Sequence, residues 1–131
     1  MVTKIEKDGI IYAIIINGDF DKDGINFITE EKSILQMGIM SHNSGHKIQP
    51  HIHKPFKRKT EGTNEVIYIK KGKVLVEFYD FKQEYFTSYD LFTGDWIILI
   101  EGGHGFKIIE DSVMIEVKNG PYAGDQDKVR F

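Results

Sequence analysis

The chain has 131 residues, 40% of them hydrophobic and 28% charged, which suits one globular domain able to bury its own core. It has no cysteine, which excludes disulfides, thiolate metal sites and a cysteine nucleophile, so any metal must be held by nitrogen and oxygen ligands. A net charge of −3 gives no bulk basic field to attract nucleic acid.

The opening Met1–Lys7 is charged, with no apolar signal core before Ile10. The longest apolar run, Ile10–Ile16, is far short of the roughly 20 residues a helix needs to span a bilayer. A cytoplasmic protein without membrane contact is expected. Ile10–Ile16 reads as the first strand, and Asn17-Gly18 breaks it. Asp19, Asp21, Asp23, Gly24 and Glu30 match the spacing of a calcium loop. The β-branched run before them, where an incoming helix is required, favours an acidic turn between strands instead. Ile25–Ile28 and Ile34–Met40 are predicted strands, with a short helix over Thr29–Ser33 between them.

Lys47–His53 is the next predicted strand. His51 and His53 stand two apart, so on a strand both imidazoles face one way and can reach one ion. His42 and His46 fall in the loop before it. Lys54, Lys57, Arg58 and Lys59 form a basic run that reads as a solvated loop face, with Arg58 the side chain suited to fork onto a carboxylate or phosphate. Glu65–Lys70 and Lys73–Asp80 flank Gly72 and read as a hairpin, the glycine supplying the positive φ of a tight turn. Glu84–Ser88, Asp95–Ile100, Gly105–Ile109 and Val113–Lys118 complete the strands. The tail Asn119–Phe131 ends in Val-Arg-Phe and reads as an anchored strand or interface segment.

Alternation assigns faces. Glu65, Ile67 and Ile69 share one, Val74, Val76 and Phe78 another, His104, Phe106 and Ile108 a third, and Gln49, His51 and His53 a fourth. Polar groups at the ends of apolar rows suggest a barrel, greasy inside and chemically equipped at its mouth. Three imidazoles, from His51, His53 and His104, with the Glu65 carboxylate suit a divalent Fe, Mn, Ni, Zn or Cu ion and leave positions open for substrate.

These residues resemble the cupin superfamily. Its first motif reads here as Gly45, five residues, His51-Ile52-His53, then Glu65, six residues and Gly72; its second runs from Gly94-Asp95-Trp96 to Gly102-Gly103-His104. The spacer Lys54–Asn64 is longer than is usual in the family, and the second motif is shorter and lacks its proline. The resemblance implies an all-β chain with a single cupin domain over 1–131, a jelly-roll-type double-stranded β-barrel with core motifs over 45–106. It also implies one transition metal ion on His51, His53, Glu65 and His104, and a homodimer. Gln49, Arg58, Tyr68 and Phe106 are the candidates to hold a small-molecule substrate, while Gln36 and Trp96, which could also line a pocket, read better as cross-strand pairs or core-edge residues.

Three functions remain open. The first is a metal-dependent oxygenase or isomerase acting on an oxygen-rich, sugar-like metabolite. The second is a metal-free sugar-nucleotide isomerase or epimerase with His53 or His104 as base. The third is a non-catalytic small-molecule binding module.

Overall fold

The computed structural model describes Met1–Phe131 and is all-β. Ten strands form: β1 (Val2–Lys7), β2 (Ile10–Ile16), β3 (Gly24–Phe27), β4 (Gly38–Ser41), β5 (Glu65–Lys71), β6 (Lys73–Tyr79), β7 (Tyr85–Phe92), β8 (Trp96–Leu99), β9 (Gly103–Ile108) and β10 (Val113–Lys118). The only helical element is a single 3-10 turn at Gly124–Gln126, and no helix is long and apolar enough to cross a membrane.

The strands form a five-stranded sheet in the order β1-β2-β8-β5-β10, a three-stranded sheet in the order β7-β6-β9, and the β3-β4 hairpin. Every pairing is antiparallel and no sheet closes on itself. The core lies between the two larger sheets. Ile5, Ala13, Ile15, Ile67, Ile69, Ile97 and Leu99 of one sheet pack against Val74, Val76, Phe78 and Leu91 of the other. Strand β2 is buried on both faces from Tyr12 to Ile16, with Phe20 and residues 35–39 near its Ile16 end on the side away from the core, and its sequence is accordingly a continuous apolar run rather than an alternation.

From β5 onward the chain shuttles between layers, with β5, β8 and β10 in the larger sheet and β6, β7 and β9 in the smaller. The expected hairpin over 65–80 is therefore a corner: β5 and β6 lie in different sheets and do not pair. Gly72 has φ +94, as a tight turn requires, but it also lets the 111–112 loop approach, since a Cβ there would overlap Ser112 Oγ and the Asp111 carbonyl. The hairpin that does form is β6–β7. Its turn is closed by the Asp80 carboxylate, which accepts the backbone N–H of Lys82 (2.9 Å) and Glu84 (3.1 Å) and pairs with Lys7 Nζ at 2.6 Å.

Four other expectations change. Lys47–His53 is not a strand: residues 42–62 run exposed and unpaired between the hairpin and β5. Thr29–Ser33 is not a helix, because the Gln36 amide donates to the carbonyls of Glu30, Glu31 and Ser33 and holds that backbone in turns. Of Ile34–Met40 only the end is strand, within β4. The tail is anchored but not as a strand: Thr63 Oγ1 donates to Asp127, and Phe131 packs edge-on against Tyr79. Asp19–Asp23 forms an acidic turn between strands with no flanking helix, so the spacing of a calcium loop is there without its scaffold.

Candidate functional site

Glu65 opens β5 and faces inward with Ile67 and Ile69. His104 sits on β9 opposite Phe78 of β6, so it too points between the sheets. Two layers thus bring together residues 39 positions apart: His104 Nε2 donates to Glu65 Oε2 at 3.1 Å. The side chains keep 29% and 12% of their exposure, so the pair sits at the rim rather than in the sealed core. That hydrogen bond is the main reason the Glu65 carboxyl is held below the ordinary glutamate range. Partial burial pulls the other way, and the charge of Lys118, opposite Glu65 on β10, adds a smaller downward pull. The bond also orients the imidazole, leaving Nδ1 as the other nitrogen able to take or give a proton.

Neighbouring groups fix Glu65. Asn64 is buried; its side-chain amide donates to the Ile100 carbonyl at 3.0 Å, and its backbone N–H donates to Asn119 Oδ1 at 3.0 Å. Asn119 in turn donates to the Gly62 carbonyl at 3.1 Å. Neither asparagine stands out in the sequence; the one signal is a polar residue at the foot of an apolar strand, Asn64 immediately before Glu65. Asp95, the acidic residue of the second motif, is a structural staple: at 5% exposure its carboxylate accepts the N–H of Phe92 (2.8 Å) and of Gly18 (3.0 Å).

The other predicted site residues fall elsewhere. His51 and His53 lie exposed on the 42–62 segment with their rings 5.2 Å apart, and His51 Nδ1 is 2.9 Å from the Gln49 carbonyl. No group of three or more histidine, aspartate or glutamate side chains is placed to hold a metal ion, so of the four expected ligands only Glu65 and His104 meet. Gln49 and Arg58 are on the same exposed segment, Arg58 lying 5.1 Å over the Phe56 ring. His42 and His46 stack on each other at 4.0 Å in the adjoining loop. Tyr68 is on the opposite face of its sheet from Glu65, stacked on Trp96 at 4.5 Å as a cross-strand pair. Phe106 is the one substrate candidate beside the pair, with its ring 5.8 Å from His104.

No protein-family model matches the chain, and neither a curated protein nor a solved structure matches it.

Proposed function

We propose that the chain is a small cupin-type barrel that acts on a small, oxygen-rich, sugar-like metabolite at a site centred on Glu65 and His104. The observation that carries this reading is their 3.1 Å bond, made between two sheets at the rim of an otherwise apolar interior. The jelly-roll element is supported by a chain that crosses repeatedly between layers from β5 to β10, with only β6 and β7 consecutive in one sheet. In this site His104 moves a proton to or from a substrate carbon or hydroxyl, Glu65 orients it and offsets its charge, and Phe106 shapes the apolar wall.

The resemblance adds a divalent transition metal on His51, His53, Glu65 and His104. As placed, the four do not converge on a point from which an ion could bond to each at about 2 Å. A metal-bound form requires the 47–53 segment to fold inward. The free edge of β9, which pairs only with β6, is a place for it to dock as a strand.

Elemental analysis of protein purified without chelators tests the metal element. Near one equivalent of a transition metal, lost in both His51→Ala and His104→Ala, supports it. Less than about a tenth of an equivalent, unchanged in the variants, overturns it. The metal-free reading is favoured by the assembled carboxylate–imidazole pair itself, and turnover of keto-sugar nucleotides that survives exhaustive chelation distinguishes it. Saturable binding of a sugar or sugar nucleotide without turnover points to a binding module instead.

A homodimer is part of the same proposal. Strand β10 is an edge strand with Val113 and Ile115 each about half exposed, an apolar edge open to a second copy. Light scattering that gives the mass of a single chain at all concentrations overturns that element.

A further inference from the structure

The face of the five-stranded sheet turned away from Glu65 and His104 carries its own cavity. Ile16, Val66 and Trp96 alternate with the core residues Ile15, Ile67 and Ile97, so they point outward. Phe20 and residues 35–39 form a strap near the Ile16 end of this face, on which Ile14, Ile16 and Ile98 are almost fully buried. Between strap and sheet lies a cavity of about 460 Å3, walled by Ile16, Phe20, Met37, Val66, Trp96 and Val117 among others.

No lining residue is ionisable, in a chain that is 28% charged. The two amides at its border are already committed: Gln36 Nε2 to three carbonyls of its own loop, and Asn17 Nδ2 to Asp95 at 3.5 Å. An ion here would give up part of its water without finding a counter-charge, so the lining favours uncharged ligands. The volume is that of a small-molecule site, within the range of about 300–1,000 Å3. The wall is built without help from a ligand, since Met37 N–H donates to Thr29 Oγ1 at 3.0 Å and Ile28 N–H to the Met37 carbonyl at 2.8 Å. The Trp96 indole is braced by Tyr68 and presents a flat apolar surface to the cavity.

We propose that this outer cavity binds a small, uncharged, mainly apolar molecule, with a ring lying against Trp96. The site is separate from the Glu65–His104 pair and stands whether or not that pair is catalytic.

Trp96 is the only tryptophan, so its emission reports on the cavity directly. Titration with N-phenyl-1-naphthylamine, an uncharged fluorescent probe, should give saturable one-to-one binding, with Trp96 emission falling as probe emission rises. The anionic 8-anilinonaphthalene-1-sulfonate, the same ring system carrying a sulfonate, should bind at least about tenfold more weakly. Val66→Phe and Val117→Phe fill the cavity and should each weaken the neutral probe by at least about tenfold. Val117 lies on an exposed edge strand, so its variant folds even if Val66→Phe does not. Non-saturable binding, a Trp96 signal that does not respond, equal affinity for the sulfonate probe, or unchanged affinity in folded Val117→Phe overturns the proposal.

Discussion

The Glu65 carboxylate is the residue whose titration reports most directly on the site. Its folded pKa lies below the unfolded value of about 4.3. Its contribution to stability is therefore complete above that pH and is lost as the pH falls through the folded pKa. Carboxyl-carbon NMR of Glu65 should show a midpoint below the ordinary range, and in His104→Ala that midpoint should rise. No movement in the variant would mean that the 3.1 Å bond is not what holds the charge. Asp80 obeys the same sign rule for a structural reason, because Lys7 and two backbone amides stabilise its ionised form. Asp80→Asn should lower the melting temperature at neutral pH, and the gap from wild type should shrink as pH falls from about 3.9 through the lower folded pKa, below which wild-type Asp80 is neutral too. A gap that stays constant from pH 7 to pH 2 would contradict this. Glu65 and His104 were legible from the sequence because each ends or begins an apolar row whose face alternation fixes. Asn64 and Asn119 were not, because an asparagine shows no periodicity and its partners here are the backbone of Ile100 and Gly62.

At the scale of elements, strands read well where β-branched residues run together, whether buried, as in Ile10–Ile16, or largely exposed, as in Val113–Lys118; both have the bounds the sequence predicts. Strand β1 was missed because Val2–Lys7 is largely charged and buries only Ile5. Alternation alone makes Lys47–His53 look like a strand, yet a strand needs a partner ladder and this segment has none. The Gly72 corner shows the general reason: period-two alternation gives a strand's faces but not which sheet it joins, so a corner and a hairpin look alike. Gly72 separates them experimentally. A hairpin glycine needs only its positive φ, whereas this one also makes room for Asp111 and Ser112. Gly72→Ala should cost at least about 2 kcal/mol in urea unfolding, the strain and the overlap acting together. A cost below about 1 kcal/mol, the low end of what a non-glycine residue at positive φ costs by itself, would mean that the 111–112 loop yields freely.

At the scale of the whole molecule, the two larger sheets hold the core and Phe78 is among its largest fully buried side chains. Phe78→Ala should destabilise the fold by about 3–5 kcal/mol, measured by chemical denaturation. A loss under about 1 kcal/mol would mean that the layers are not packed as described. The exposed 42–62 segment has a further consequence. Lys47, Lys54, Lys57, Arg58 and Lys59 all lie on it in solvent, whereas β2, on its N-terminal side, is hydrogen-bonded to β8, on its C-terminal side, from Ala13–Leu99 to Ile16–Trp96. Brief trypsin treatment should therefore nick the backbone once or twice in this stretch and leave two fragments that co-elute as one native particle, parting only in denaturant. The protein is in this sense already divided for complementation: its halves, made separately, should find each other through the β2–β8 seam.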